Sequence, residues 1–597
     1  MRDHTASLIE NFAALSRLED CALSPDGRTL AYTRHVDSHH QIFALPIERG
    51  GEVRITATLD DCTEPQYSPD GQHLVYVREH ALWIANADGS NARELTNHPG
   101  GNTHPRWSPD GSRIAFLSRR RGWSHIWTIA ASELQSKQIT RGEFDVCNPT
   151  WSQDGKCLAY DSWRTDDIQT RAVYLITSNG GEELVSVKGS WSGAPSFSPD
   201  GRTLAFLSDQ TGWFHIYLYD TQLRITHQLT RGEFEDGGSH FYDIDPRGGP
   251  LFSPDGKQIA FVRHREGKID VWVVDVATGD AKRISSIDGR HRLIGWLPDS
   301  KHIAAMCSQS STPGDVWLLS TDSEPIQLID SSIAELKSRT HQPEWIAYPS
   351  PDDLKIPAAL LRPLEKTKAP AVVFIHGGPN SMFGDDYYPL PQILAQEGYV
   401  VLLPNYRGST GYGNVFRNAN MREWGNADAM DIVYAARWLK SQSFVDPDRI
   451  AVVGPSYGGY LALSALTLAP ELFCAGVDMY GDSEIAEAYH HEDREARMDL
   501  LRHMGTPEEN AEGYRRGSPL YQAEKIQAPL LLLHGKDDQM VAPLMSEKMI
   551  AALKIENKYV ESHFYDGEEH GFDKPENKKD AWERIVKFLN RFCRDEK

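Results

Sequence analysis

Two rhythms of apolar positions divide the chain. In the first half, short runs such as "SRIAFLS" (112–118) and "KQIAFVR" (257–263) carry apolar cores flanked by polar residues, a pattern that predicts β-strands. Each run follows a turn of nearly constant spelling: "LSPDG" at 23, "YSPDG" at 67, "WSPDG" at 107, "WSQDG" at 151, "FSPDG" at 197 and 252, and a decayed "WLPDS" at 296. Proline presets φ, aspartate bonds its own backbone, and glycine accepts a positive φ. Pro25 and Pro69 are 44 residues apart, Pro69 and Pro109 are 40, and the widest gap, Pro199 to Pro254, is 55. A period of about 40–45 residues with room for four short strands is propeller spacing. Seven turns predict a seven-bladed β-propeller over 21–330. Two blades match closely: "RGWSHIW…ITRGEFD" from 121 and "TGWFHIY…LTRGEFE" from 211.

From about 335 the rhythm becomes strand and helix in alternation. "APAVVFIHGG" (369–378), "EGYVVLLPNYRG" (397–408), "RIAVVG" (449–454), "CAGVDMYG" (474–481), "APLLLLHG" (528–535) and "KYVESHFYDG" (558–567) read as strands. Their nearly unbroken apolar runs suit a parallel sheet covered on both faces. "NADAMDIVYAARWLKSQ" (426–442) and "ENKKDAWERIVKFLNRF" (576–592) read as helices. An α/β domain is expected over 331–597. Leu8, Phe12 and Leu15 predict a short amphipathic helix within 1–20, expected to pack on the α/β domain.

Length and composition narrow the picture further. A chain of 597 residues exceeds one core. A formal charge of −22 argues against nucleic acid and anionic membranes as partners. No run reaches the roughly 20 apolar residues of a membrane span. The seven cysteines include no C-x-x-C pair and are odd in number, so neither a disulfide framework nor a zinc site is expected, and a cytoplasmic location fits. Exposed strand edges leave room for a homo-oligomer.

The candidate chemistry lies in "GPSYGGY" (454–460), a G-x-S-x-G placed between a strand and a helix. That is the nucleophile elbow of an α/β-hydrolase, and Ser456 is its nucleophile. The helix start offers backbone N–H groups to a developing oxyanion. A serine needs a base, and the base an orienting acid, in the chain order Ser, Asp or Glu, His. "KDDQMV" offers Asp537 and Asp538, and "EEHGFDKPEN" offers His570, while His563 lies within a strand. "HGGP" (376–379) fits the second oxyanion donor. "HHED" (490–493) with His503 has ligand-type residues but reads as a solvated cap helix, and no metal or cofactor is called for.

These motifs together resemble the prolyl oligopeptidase family of serine peptidases, and its acylaminoacyl-peptidase branch in particular. They are "FIHGGP", "NYRGSTGYG" (405–413), "GPSYGGY", "HGKDDQMVAP" (534–543) and "GEEHGF" (567–572), preceded by the "SPDG" repeats. The resemblance implies Ser456, Asp538 and His570 as the triad, with the backbone N–H groups of Tyr457 and Gly378 as the oxyanion hole. It implies short peptides or aminoacyl compounds as substrates, with the propeller excluding folded proteins. Two departures matter. Pro455 precedes the serine where the family commonly has glycine. Met540 stands where many members carry Arg or Asn to bind a substrate carbonyl, and a thioether cannot donate that bond. Glu233, Glu235 and Asp236 in "RGEFEDGG" are the candidates for holding a substrate amine. An esterase or amidase on small non-peptide substrates, and a propeller binding protein with an inactive hydrolase domain, are the alternatives.

Overall fold

The structure is a computed structural model that describes residues 2–15, 18–36, 39–48, 50–164, 167–177, 180–240, 243–363 and 368–594. It separates into two compact units, one built from Ser16–Ser239 and Asp243–Ser331, the other holding Met1–Leu15 and Ser332–Lys597.

The first unit is a β-propeller. Five four-stranded antiparallel sheets follow in sequence, and two further meanders, of five and four strand segments, join into one nine-stranded sheet through the single bridge between Ile269 and Arg290. The repeated turn explains the repeated spelling. In the third copy, Asp110 Oδ1 accepts from Ser108 Oγ at 2.6 Å and from Ser112 N at 3.1 Å, and Gly111 sits at φ 70°. Those donors, the Ser108 hydroxyl foremost, lower the Asp110 carboxyl to about 2. The innermost strands share a second device. Asp20, Glu64, His104, Asn148 and Ala194 all take positive φ at equivalent places, and the register shifts there as in a β-bulge. Blade-to-blade latches run through these bulges: Asp20 Oδ2 accepts from Glu64 N at 3.2 Å, and Glu64 Oε2 accepts from His104 N. The last blade packs on the first, with Met306 and Val316 against Leu18, Leu30, Tyr32 and Phe43.

The two matched blades share two side-chain contacts. His125 Nε2 and His215 Nε2 each lie 3.0 Å from a glycine carbonyl, those of Gly142 and Gly232. Arg164 lies over Phe144 at 3.6 Å and Arg263 over Phe234 at 3.7 Å.

The second unit is built on an eight-stranded sheet: β1 (Glu344–Pro349), β2 (Lys355–Leu361), β3 (Ala369–Phe374), β4 (Val400–Pro404), β5 (Val445–Pro455), β6 (Ala475–Met479), β7 (Leu530–Gly535) and β8 (Val560–Tyr565). Their order is β1-β2-β4-β3-β5-β6-β7-β8, with β3 through β8 parallel. The apolar runs alternate between faces. Leu530 and Leu532 enter one core with α3 (Ala427–Lys440) and α4 (Tyr457–Leu468). Leu531 and Leu533 enter the other with α1 (Arg2–Ala14), α2 (Pro389–Gln396) and the C-terminal helix Pro575–Cys593. In α1, Leu8, Ile9 and Phe12 are buried, and of the 1–20 segment residues 1, 16 and 17 lie outside the described residues. Among the described residues, no helix is long and apolar enough to cross a membrane. β1 and β2 precede the first strand read from the sequence, because mixed runs such as "EWIAYP" carry no clear period.

One expectation is corrected. Cys474, just before β6, and Cys593, at the end of the C-terminal helix, form a disulfide with Cα atoms 5.9 Å apart. They are 119 positions apart, so spacing along the chain carried no sign of it, and the cysteine argument for a reducing compartment loses its premise.

A buried ion network ties the loops after β1 and β4 to α3. Arg407 Nε and Nη2 donate to the two oxygens of Asp431 at 2.9 Å each, and Nη1 donates to Asp352 at 2.9 Å. Asp431 is fully buried. Replacing it by alanine would strand a desolvated guanidinium, an effect of about 3–5 kcal/mol. Asp431→Ala is expected to lower the thermal midpoint of the hydrolase unit in calorimetry and leave the propeller transition in place.

Candidate active site

β5 runs straight into α4, and Ser456 is the joint. Its φ of 54° and ψ of −127° lie outside the ordinary regions for a residue with a side chain. Close packing imposes this turn: a Cβ on Gly454 would come 2.3 Å from the backbone of Gly458. Ser456 N donates to Met479 O of β6 at 2.8 Å, which pins the corner to the sheet. Pro455 keeps its place in the β5–β6 register, opposite Met479, so the proline leaves the elbow intact.

β5, β6, β7 and β8 are neighbours in the sheet, so the loops after β5, β7 and β8 open at the same end. His570 Nε2 lies 2.9 Å from Ser456 Oγ, and His570 Nδ1 lies 2.7 Å from Asp538 Oδ2. Asp538 is buried, and burial by itself would raise its carboxyl. The hydrogen bonds from His534 and His570, with the backbone N–H of Val541, outweigh it and hold the carboxyl at about 2. An ionised Asp538 only accepts, so Nδ1 donates and Nε2 is left to accept the serine hydroxyl. Asp538 Oδ1 takes the N–H groups of Met540 and Val541, each at 2.9 Å.

Tyr457 is the first residue of α4, so its N–H has no partner within the helix. The 376–379 loop comes up beside it, and a Cβ on Gly377 would lie 3.3 Å from Ser456 Cβ. An aromatic column holds these two segments together. The His376 ring stacks on Tyr406 at 4.4 Å, and Tyr406 on Tyr457 at 6.0 Å. Tyr406 also donates to His376 O at 3.0 Å. Burial lowers His376 to about 4, so the imidazole is neutral. At the far end Tyr457 Oη donates to Asp428 at 2.5 Å, and burial foremost raises that carboxyl to about 6.

The other sequence candidates are distributed differently. Asp537 is exposed. His563 stays within β8 with its ring 4.5 Å from that of Tyr565. Met540 is half-buried beside the triad acid, and its backbone N–H is spent on Asp538. Glu233 and Glu235 do not form an acid pair: Glu233 is exposed in a turn, and Glu235 is buried in a strand opposite His264, while Asp236 is buried and accepts from Arg263 Nε at 2.7 Å. The "HHED" stretch is solvated only in part: His490 and His491 are exposed. Glu492 is buried between α5 (Ile485–His491) and α6 (Arg494–Met504), and Asp499, Arg502 and His503 of α6 are buried as well. Among the described residues, no three His, Cys, Asp or Glu side chains are grouped to hold a metal ion.

Two positioning residues take on their role only in the fold, although Glu568 lies within the "GEEHGF" motif. Glu568 is buried and accepts from Asp573 N, Lys574 N and Asn577 Nδ2 at 2.9, 3.0 and 2.8 Å, which folds the loop that carries His570 onto the start of the C-terminal helix. Tyr480, at φ 46°, sets its ring 5.0 Å from that of His570.

Residues 387–596 match the prolyl oligopeptidase family, and residues 16–145 and 134–344 match the TolB beta propeller domain. The dipeptidyl aminopeptidase BIII of Pseudoxanthomonas mexicana is 26% identical over 93% of this chain and 84% of its own. The acylamino-acid-releasing enzyme of Sus scrofa is 26% identical over 70% of this chain and 61% of its own. A puromycin-hydrolyzing peptidase of Mycobacterium tuberculosis superposes with a TM-score of 0.88 at 22% identity, over 98% of this chain and 96% of that one. Propeller, hydrolase sheet and sequence matches agree: the chain belongs to the prolyl oligopeptidase family and is a serine peptidase.

Proposed function

We propose that the enzyme cleaves short peptides or aminoacyl amides through an acyl-enzyme on Ser456. The observation that carries this reading is the relay Asp538–His570–Ser456, closed at 2.7 and 2.9 Å with the serine on the elbow. His570 Nε2 takes the serine proton as Oγ attacks the carbonyl, then returns it to the leaving amine. Water, deprotonated by the same nitrogen, releases the acyl group. Asp538 holds the imidazole in the accepting tautomer and offsets its positive charge. The N–H groups of Tyr457 and Gly378 receive the oxyanion, each worth about 3 kcal/mol to the transition state. The names of the relatives, a dipeptidyl aminopeptidase and an acylamino-acid-releasing enzyme, support a substrate cut near its N-terminus. We propose substrate as the partner, with no nucleic acid, membrane or cofactor in the reaction.

A second reading, hydrolysis of small esters or non-peptide amides, is favoured by Met540, whose side chain cannot hold a peptide carbonyl. A panel of N-acetyl-aminoacyl anilides, free aminoacyl anilides and p-nitrophenyl esters separates the two by kcat/KM.

Ser456→Ala is expected to abolish both anilide turnover and labelling by a fluorophosphonate; turnover at the wild-type rate would refute the assignment. Asp538→Asn, which favours the wrong tautomer, is expected to lower kcat by about 10⁴, measured by single-turnover kinetics. Glu568→Ala frees the His570 loop. A misplacement of about 1 Å costs roughly 10²-fold, so kcat is expected to fall toward that extent while the protein remains folded by circular dichroism.

A further inference from the structure

The charged stretch that reads as a solvated cap turns its later half inward. In α6 the early residues Glu495 and Arg497 are exposed, whereas Asp499, Arg502 and His503 are buried. Their spacing, i, i+3 and i+4, puts these three side chains on one face of the helix. Asp499 Oδ1 accepts from Arg502 Nη2 at 2.7 Å and lies 2.9 Å from His503 Nδ1. A buried guanidinium needs such a partner. Its second partner is an uncharged amide on a distant segment: Arg502 Nη2 also donates to Asn380 Oδ1 at 2.9 Å, across 122 positions of chain.

Asn380 stands two residues after Gly378, the proposed oxyanion donor. Gly378 sits at φ 134°, and a Cβ there would come 2.8 Å from Asn380 N, so the chain folds back tightly between them. Asn380 is buried and uses both ends of its amide. Nδ2 donates to Gly408 O, in the loop after β4, at 2.9 Å, and Oδ1 receives Arg502. The guanidinium only donates and the Gly408 carbonyl only accepts, so these partners fix which way the amide points.

The segment that carries the other donor meets the same helix. The His503 ring lies 5.3 Å from that of Trp424, and Trp424 meets the Tyr457 ring edge-on at 4.7 Å. His503 O accepts from Arg422 N at 2.8 Å, which holds the Trp424 segment against α6. Consecutive residues of α6 thus reach both oxyanion segments, Arg502 the glycine loop and His503 the start of α4 through Trp424.

We propose that Arg502 is a positioning residue for the oxyanion hole, holding the Gly378 N–H in place through Asn380. The proposal rests on the Ser456 hydrolase reading. The aromatic column fixes the glycine loop on the His376 side, before the two glycines, and Asn380 fixes it on the side after them. Oxyanion donors act by being aimed before the charge develops, and a loop held at one end alone is free to tilt its N–H. Asp499 offsets the charge of Arg502, so the guanidinium acts through geometry and not through its field at the oxyanion.

The test measures kcat and KM for the fastest anilide of the panel, and the rate of fluorophosphonate labelling, in wild type, Arg502→Met, Asn380→Leu and the double variant. The P=O oxygen of the probe takes the place of the oxyanion, so the labelling rate reports the hole independently of the choice of peptide. Exhaustive labelling counts folded sites, and kcat is referred to that count, so a loss of folded protein does not register as a loss of rate. Each single variant is expected to lower kcat and the labelling rate by roughly 10- to 100-fold, with KM unchanged. The double variant is expected to be no slower than the slower single one, because both substitutions remove the same hydrogen bond.

Wild-type rates in either single variant, losses that multiply in the double variant, or a loss confined to KM would overturn the proposal. If Arg502→Met does not fold by circular dichroism, Asn380→Leu, which leaves the Arg502–Asp499 pair in place, decides by the same rates. A wild type that takes no label overturns the hydrolase reading and the proposal with it. A labelled wild type with single variants labelled equally fast overturns the proposal alone.

Discussion

The conformation of Ser456 is the constraint on which the rest of the site depends. A residue with a side chain at φ 54° is strained, and it persists only where its surroundings leave no other path. Gly454 and Gly458 touch, Ser456 N is tied to β6, and α4 begins at once. Relaxing the serine toward an ordinary strand would slide the helix start away from the position where its N–H can meet a developing oxyanion.

Around that corner the protein uses two kinds of rigid support. The aromatic column His376–Tyr406–Tyr457 holds the glycine loop against the start of α4 and ends in the buried carboxyl of Asp428. On the other side, Glu568 gathers three donors from the segment after His570, and Asp538 spends one oxygen on two backbone N–H groups and the other on the imidazole. Neutral rings on one side and fully satisfied carboxylates on the other leave the triad few ways to move.

The same completeness holds away from the nucleophile. Arg407, buried with Asp431 and reaching the exposed Asp352, meets a carboxylate with each of its three nitrogens. A guanidinium taken out of water is tolerated only when its donors are answered in this way, and here the answer ties the loops after β1 and β4 to α3.

Local chemistry made much of this legible in the sequence. The "SPDG" turn reports its own hydrogen bonds, and its spacing reports four strands, so the propeller could be read before any coordinates. Runs such as "APLLLLHG" announced strands buried on both faces, and "GPSYGGY" between strand and helix announced the corner. Resemblance chose Asp538 over Asp537; the separation of the two by burial and by contact with His570 exists only in the fold. Tertiary structure alone decided the Cys474–Cys593 pair, the isolation of Glu235 from Glu233, the role of Glu568 and the burial of Glu492. The reason is physical. Turn and strand signals are set by neighbours a few residues away, whereas burial and charge pairing depend on which distant segments the sheet order brings together, and a charged helix reads as solvated until its neighbours cover it.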